Sequence, residues 1–430
     1  MSGSTATLVR TDDITYDANG NITQYGNTTY VYDKLNRLTR ENNKALDKTI
    51  IWSYDVSGNI ISRKEYAYGG ASLGSPTATY TYTYGNTWKD QLLSFGGNSI
   101  TYDYAGNPTN YKGATLTWTR GRLLASYKPS GSSYTTTMQY DANGIRCSKT
   151  IPTSTQPNVF RYVYDGNNLV RETKSGASSY TKTFLYNSQG IVGFAIGSTV
   201  YTYRKNLFGD IIAIYQGATK KAAYLYDAWG NCTITQDTDG IGTANPFRYR
   251  GYYWDNDLQL YYLMSRYYDP ATGRFINADS LEHLDPETIG GLNLYAYCLN
   301  NPVMGVDPNG TVISIATALI ILAVGTIVGT TVSAVKAHND GKKGWDLVGA
   351  TIYGAAIGLA AAGALVAAIG VISGAGAVLS ATFNGIYAAA KVMKTVKAAA
   401  QIFAIGALAS NFSAITVGAL FNEEWPLFEI

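Results

Sequence analysis

The sequence predicts a mainly β protein, built as one long antiparallel sheet and followed by a separate, all-α, hydrophobic C-terminal region. Three observations support this prediction. A motif of Tyr-Asp, two further residues and then Gly or Asn recurs about every twenty residues before position 248. Tyr is unusually frequent, with 36 residues against 12 Phe and 7 Trp. Beyond position 310 the composition changes to Ala, Gly, Ile and Val.

Each repeat begins with a stretch that suits a β-strand. In ATYTYTY, residues 78–84, the three Tyr alternate with three Thr and therefore fall on opposite faces of an extended chain. Both residue types favour a pleated surface. The stretch is therefore predicted to be a strand with one aromatic face and one hydroxyl face.

The second part of each repeat is a turn. In YDANGN, residues 16–21, Asp17 can accept a hydrogen bond from the backbone two residues on, and Gly20 supplies a positive φ. An EF-hand calcium loop needs Gly at its sixth position and Glu at its twelfth, whereas DANGNITQYGNT has Gly fourth and Thr twelfth. The motif therefore indicates successive hairpins, and we expect no metal site. Isolated hairpins are marginal in water, so they must stack or curl together.

Composition excludes several function classes. A formal charge of +3 gives no field that would favour nucleic acid. Cys147, Cys232 and Cys298 are odd in number and far apart, so they form no disulfide framework. Only His283 and His338 are available as histidine ligands or bases, and no zinc, P-loop or serine-hydrolase motif occurs. We expect no cofactor.

The N-terminal sequence lacks the apolar segment of a secretory signal peptide. We therefore expect either another export route or a chain that is the downstream piece of a longer protein. The expected location is secreted, or at a cell surface in association with a membrane.

Two longer segments carry a family resemblance. They read RYRGYYWDNDLQLYYLMSRYYDPATGRFINADS at 248–280 and GGLNLYAYCLNNPVMGVDPNG at 290–310. With the repeats, they resemble the YD-repeat, or Rhs-repeat, proteins of bacteria, which are related to the teneurin shell of animals, and they look like the Rhs-associated core. The resemblance implies a spiralling β-shell, or cage, at 1–247, closed by the core at 248–310. It also implies that 311–430 is an enclosed cargo, often toxic in this family.

The abundance of Tyr suits a one-layer shell around a cavity. Tyr combines a large contact area with a polar tip, which we expect to stay hydrated on the inner face. A two-sheet sandwich with Tyr at its rim is the alternative, but about eleven repeats argue against it.

The resemblance also implies aspartyl self-cleavage just after a DPxG motif. Asp307 in DPNG takes one carboxylate position, and Asp279 takes the other, with Asp285 as its substitute. The cut would separate Gly310 from Thr311. Two close carboxylates share a proton and can act as acid and base.

The sequence departs from the family's pattern at two positions. The basic residue that often precedes the first Asp is replaced by Ala278, and the expected Leu after DPxG is replaced by Thr311. Alternatively, the Asp residues before Pro simply begin turns. Apart from this self-cleavage the sequence indicates no enzymatic activity.

Residues 311–430 contain long stretches without charge. These stretches span 311–335, 347–390 and 398–422, and about twenty apolar residues suffice for a membrane-spanning helix. Close helix approach is favoured by three small-xxx-small pairs, and Trp345 suits a membrane interface. The pairs are Gly325 with Gly329, Gly354 with Gly358, and Gly370 with Gly374. Alternatively, these helices pack together in water, stay inside the cage, or form a translocation or linker region.

Two functions remain open at this point. The first is the C-terminal part of a polymorphic toxin, whose β-cage encloses a membrane-inserting, pore-forming or translocating segment; a cognate immunity protein would then be its partner. The second is a membrane-anchored surface, adhesion or glycan-binding protein. In both, the partner implied by 311–430 is a membrane and not a nucleic acid.

Overall fold

The computed structural model describes residues 14–69, 73–187, 190–284, 290–311 and 314–315. The chain divides into two units, one of residues 1–17 and 21–314, the other of residues 18–20 and 315–430. The architecture below is that of the first unit. The predicted helices of the tail, and Asp285, lie outside the described residues.

Twenty-two strands form the large sheet. They are β1 (Ile14–Tyr16), β2 (Ile22–Tyr25), β3 (Thr28–Tyr32), β4 (Leu38–Asn43), β5 (Lys48–Tyr54), β6 (Ile60–Ala67), β7 (Ala78–Tyr84), β8 (Leu92–Phe95), β9 (Asn98–Tyr102), β10 (Pro108–Tyr111), β11 (Ala114–Thr119), β12 (Leu123–Lys128), β13 (Thr136–Tyr140), β14 (Arg146–Ile151), β15 (Asn158–Asp165), β16 (Asn168–Ser175), β17 (Tyr180–Asn187), β18 (Gly190–Ile196), β19 (Thr199–Lys205), β20 (Ile211–Gln216), β21 (Thr219–Tyr226) and β22 (Cys232–Asp237).

The large sheet is an antiparallel meander. Each strand pairs with the strand that follows it in sequence, from the β1–β2 hairpin to the β21–β22 hairpin. Within the described residues β1 pairs only with β2 and β22 only with β21, so the sheet is open. In β7 the Thr side chains are exposed and the Tyr side chains are buried or half-buried. The predicted antiparallel sheet and its aromatic face are confirmed.

The predicted turns are formed by their Asp and Gly residues. In the turn after β5, the Asp55 carboxylate accepts hydrogen bonds from the backbone N–H of Ser57 and of Asn59, both at 2.9 Å. Gly58 has φ 85°, which glycine adopts without strain. The register shifts between Ser53 and Tyr54, so the Tyr sits at a β-bulge. The same Asp-to-backbone bonds recur at Asp33, Asp103 and Asp141.

The Tyr of most repeats is hydrogen-bonded to the repeat before it, which the sequence did not predict. Its hydroxyl donates to a backbone carbonyl at the beginning of a strand that follows an earlier turn. The pairs are Tyr32 to Ile22, Tyr54 to Leu38, Tyr84 to Ile60, Tyr102 to Leu92, Tyr140 to Leu124, Tyr186 to Leu169 and Tyr226 to Ile211, at 2.5–3.1 Å. The expectation that these tips stay hydrated is therefore wrong, because backbone carbonyls of the neighbouring repeat take the hydroxyls.

The core segment adds short elements after β22. They are the helical turn α1 (Ile241–Ala244), 3-10 turns at Thr238–Gly240, Tyr249–Gly251, Leu281–His283 and Cys298–Asn300, and strands β23 (Tyr253–Asp255), β24 (Leu260–Tyr262), β25 (Tyr267–Asp269), β26 (Arg274–Phe275), β27 (Gly305–Val306) and β28 (Ser314–Ile315). Strands β23 to β26 form a second antiparallel sheet. All residues of β24, β25 and β26 are buried, so this sheet is a core element.

Ion pairs with one or both partners buried connect the two sheets. Arg146 Nη1 and Lys149 Nζ of β14 both lie 2.6 Å from the Asp255 carboxylate of β23. Lys112 Nζ lies 2.6 Å from Asp269 of β25, which also accepts a hydrogen bond from Tyr111. Because an unpaired buried charge costs several kcal/mol, these pairs fix the position of the small sheet against the large one.

Candidate active site

Asp307 lies in a tight turn that leads to the predicted cleavage position. Its Oδ1 accepts hydrogen bonds from the backbone N–H of Gly310 at 2.8 Å and of Thr311 at 3.0 Å. Its own N–H donates to the Tyr252 hydroxyl at 3.0 Å. The side chain is 1% exposed, so the carboxylate is held against this peptide away from water.

Arg266 brings the two predicted carboxylates together. Its Nη2 lies 2.8 Å from Asp279 Oδ2 and 3.2 Å from Asp307 Oδ2. Arg266 lies between β24 and β25, directly before β25 begins. Its guanidinium carbon lies 3.5 Å from the centre of the Phe275 ring. Its Nη1 also donates to the Leu294 carbonyl. The sequence-based pairing of Asp279 with Asp307 thus becomes a buried Asp–Arg–Asp arrangement.

The carbonyl of Gly310 is held by two donors. Ser265 Oγ lies 2.7 Å from both the Gly310 oxygen and the Asn309 oxygen, so that its single proton serves two carbonyls, and Arg266 Nε donates to the Gly310 oxygen. Gly310 has φ 78°, and a Cβ there would lie 2.6 Å from Ser265 Oγ and 2.9 Å from the Leu263 oxygen. Only glycine fits this close approach without displacing its neighbours.

Burial moves both Asp307 and Arg266 toward their neutral forms. It raises the pKa of the Asp307 carboxyl above its ordinary value, while the Arg266 guanidinium and two backbone N–H groups partly offset the rise. Burial also lowers the pKa of Arg266 to about 10, although Asp279 and Asp307 both act in the opposite direction. A carboxyl with a raised pKa can hold and release a proton nearer to neutral pH.

Asp279 has a different environment from Asp307. Its Oδ1 lies 2.7 Å from His283 Nδ1 and 3.7 Å from Arg122 Nη1, and it accepts the Ser280 N–H at 2.7 Å. Among the described residues no hydrogen bond joins Asp279 to the Gly310–Thr311 peptide. Its link to that peptide therefore runs through Arg266.

Arg266 and Ser265 were missed by sequence reasoning. The sequence lacks a basic residue at Ala278, and Arg266 brings a positive charge to Asp279 from a different strand. A signal was present, since Arg266 is the only Lys or Arg between Arg250 and Arg274 in a segment rich in Tyr. Ser265 offered no comparable signal.

The remaining predicted site residues lie outside the described residues. These are Asp285 and the membrane-facing set Gly325, Gly329, Trp345, Gly354, Gly358, Gly370 and Gly374. In the part of the chain that the structure describes, no helix is long and apolar enough to cross a membrane.

No protein-family model matches the sequence. The tRNA3(Ser)-specific nuclease WapA of Bacillus spizizenii is 36% identical over 285 residues, which are 65% of this chain and 12% of that protein. The double-stranded DNA deaminase toxin A of Burkholderia cenocepacia is 27% identical over 317 residues, 66% of this chain and 21% of that protein. Toxin protein Tse5 of Pseudomonas aeruginosa is 43% identical over 70 residues, 16% of this chain and 5% of Tse5. The chain therefore spans less than a quarter of each relative.

Solved structures resemble this chain over most of its length. A chain of the Photorhabdus luminescens Tc holotoxin pore structure matches with a TM-score of 0.56 and 18% identity, covering 70% of this chain and 16% of that chain. A chain of the TcdB2-TccC3-Cdc42 crystal structure matches with a TM-score of 0.54 and 20% identity, covering 70% and 17%. The fold is shared with these toxin structures. Proteins named as toxins thus occur among both the sequence relatives and the structural neighbours.

Proposed function

We propose that this chain is part of an Rhs-repeat polymorphic toxin and cuts its own backbone between Gly310 and Thr311. In this proposal residues 1–247 form a β-shell, residues 248–310 close it, and residues 311–430 are the cargo. The similarity to Tse5 and the other toxins supports the family, and the shared fold with the Tc structures supports the shell.

One observation carries the proposed cleavage. The Gly310–Thr311 peptide is held at both of its polar atoms, its oxygen by Ser265 and Arg266 and its nitrogen by Asp307. Donors on the oxygen stabilise the charge that develops there when the carbonyl is attacked. A carboxyl on the nitrogen can protonate the amine as it leaves.

The two carboxylates have distinct parts in this reaction. Asp307 contacts the leaving nitrogen and passes a proton to it. Asp279 is a positioning residue, because its ion pair with Arg266 holds the guanidinium against the Gly310 oxygen. Loss of either carboxylate should therefore stop the cut, by different routes.

The released segment is proposed to enter a membrane. Its stretches of 25, 44 and 25 residues without charge, at 311–335, 347–390 and 398–422, support this. Apolar helices exposed to water aggregate. In this proposal the shell keeps the segment from water until delivery. Export from the producing cell and a cognate immunity protein belong to the same proposal.

The test is to express the full chain and its Asp307→Asn variant, and to separate soluble from membrane fractions. We expect the wild-type chain to yield a fragment beginning at Thr311 that sediments with membranes and lowers membrane potential. The Asp307→Asn chain should stay intact and leave the potential unchanged. An uncut wild-type chain held stably in the membrane of healthy cells would contradict the toxin and support a membrane-anchored surface protein.

A further inference from the structure

The carbon of the Gly310 carbonyl is prepared for attack. The Arg266 guanidinium donates to the carbonyl oxygen and draws electron density toward it, and the Ser265 hydroxyl, which the Asn309 carbonyl shares, adds to this effect. Cleavage then needs a nucleophile within reach of that carbon. The described contacts suggest where it comes from.

Asp279 is poorly placed to activate water at this carbon. Its Oδ2 is engaged by Arg266 and its Oδ1 by His283 and the Ser280 N–H. The guanidinium lies between Asp279 and the peptide, and no described hydrogen bond spans that separation.

A hydroxyl is already present on the peptide itself. Thr311 carries Oγ1, which lies 2.8 Å from the Asn309 side-chain oxygen, to which it donates a hydrogen bond. A hydroxyl at this position reaches the preceding carbonyl carbon by rotation about its own Cα–Cβ bond, forming a five-membered ring.

We propose that the Thr311 hydroxyl is the nucleophile that attacks the Gly310 carbonyl, so that the peptide bond is first converted to an ester. This inference rests on the proposed self-cleavage and names its nucleophile. Asp307 is then the catalytic residue that moves the proton, since it already contacts the nitrogen that must receive it.

The step balances without any further reactant except water. Thr311 Oγ1 bonds to the Gly310 carbon, and the hydroxyl proton passes to the Asp307 carboxylate. The bond from carbon to the Thr311 nitrogen breaks, and Asp307 returns the proton to that nitrogen. Water then hydrolyses the ester, giving a carboxylate at Gly310 and a free hydroxyl and amine at Thr311.

Side-chain replacements at Thr311 separate this route from direct attack by water. Thr311→Ser keeps the hydroxyl, Thr311→Val keeps the shape without it, and Thr311→Leu replaces it with a larger apolar side chain. We expect the Ser variant to cleave at a rate close to the wild-type rate. The Val and Leu variants should cleave roughly 1,000-fold more slowly, because well-oriented intramolecular nucleophiles reach effective concentrations of about 10⁵ M or more.

Hydroxylamine provides a readout of the ester itself. Added during cleavage, it should leave a hydroxamic acid at Gly310 in the wild-type and Thr311→Ser chains, identified by mass spectrometry, and none in Thr311→Val. Circular dichroism and size-exclusion profiles must match among the variants. Cleavage by the Ser variant shows that substitution at position 311 does not by itself disrupt the fold.

The outcomes distinguish the two proposals. Cleavage of Thr311→Val and Thr311→Leu at the wild-type rate overturns the hydroxyl nucleophile but leaves self-cleavage standing. A wild-type chain that stays intact overturns self-cleavage and, with it, the proposed role of the Thr311 hydroxyl. Loss of cleavage in the Val variant together with a trapped hydroxamic acid in the wild-type chain supports both.

Discussion

At the scale of single residues, the site depends on Arg266 more than on either carboxylate. It contacts Asp279, Asp307 and the Gly310 carbonyl at once, in surroundings where it is itself 4% exposed. A cation on the protein surface could not replace this buried guanidinium. Its location could not be read from the sequence, because the three atoms that it contacts come from segments up to 44 residues away.

Removing Arg266 should therefore affect both cleavage and stability. Arg266→Met leaves Asp279 and Asp307 buried without their shared cation, which costs about 3–5 kcal/mol when a buried pair is broken. We expect cleavage to stop and the unfolding free energy to fall by that amount in denaturant titrations. Arg122→Met is the matched control, since Arg122 is one-third exposed and 3.7 Å from Asp279; it should change stability by less than about 1 kcal/mol.

Gly310 offers a second test at this scale. Gly310→Ala places a Cβ 2.6 Å from Ser265 Oγ in a backbone with φ 78°, so the carbonyl must move off its donors. We expect cleavage to slow by about 100-fold, because a small displacement of a reacting group reduces the rate by about that factor. Gly121→Ala has a similar φ of 84° but no atom within 4 Å of the added Cβ, and it should cleave normally. Equal rates in the two variants would show that the close approach is irrelevant.

At the scale of elements, neighbouring hairpins are joined through the Tyr that begins most of the turns. Local sequence was enough to predict the strands and turns, because Asp and Gly act within four residues of each other. The Tyr hydroxyl acts on the preceding repeat, 10 to 24 residues away, and so its partner could not be predicted. This bond explains why the motif uses Tyr where Phe would bury as much ring.

Tyr54→Phe tests that bond directly. The variant keeps the ring but leaves the Leu38 carbonyl without its donor, which should cost about 1–2 kcal/mol of unfolding free energy. Tyr104→Phe removes a hydroxyl at the tip of the turn after β9, where the side chain is fully exposed, and should cost nothing measurable. Chemical denaturation of both variants decides between a bonded and a merely packed Tyr.

A buried carboxyl links β4 to the turn after β21. Glu41 Oε2 accepts the Ala228 N–H at 2.8 Å, and Oε1 accepts from the Asn43 side chain. Burial, with Asp227 as a smaller cause, raises the pKa of Glu41 from 4.5 to about 8. The folded chain therefore holds this proton more tightly than the unfolded chain does.

The linked stability follows from that direction. The contribution of the protonated Glu41 is complete below about pH 4.5 and is lost as pH rises through about 8. Between pH 5 and pH 9 the wild-type chain should lose on the order of 3 kcal/mol more unfolding free energy than Glu41→Gln, which cannot ionise. Glu282→Gln makes the same substitution at an exposed position and serves as the control for loss of a carboxylate away from the core. Parallel curves for wild type and Glu41→Gln would contradict a buried, protonated Glu41.

At the scale of the whole molecule, the chain combines a long sheet with a core segment that contacts a single peptide bond, Gly310–Thr311. The sequence was sufficient for the antiparallel sheet, whereas the catalytic pairing of Asp279 with Asp307 stays a prediction, and the contact of both carboxylates with Arg266 could not be predicted. It was not sufficient for the second sheet, whose position depends on ion pairs such as Arg146 with Asp255, 109 residues apart. Turns can be predicted from residues that are neighbours in the sequence. The partner of a buried charge cannot, because it is brought close only when the chain folds.

The most direct test of self-cleavage is the intact mass of the purified chain, measured beside Asp307→Asn. The account predicts two wild-type products whose masses place the break between Gly310 and Thr311, and a single uncut species for the variant. A single species of 430 residues from the wild-type chain, or a break that persists in Asp307→Asn, would contradict it.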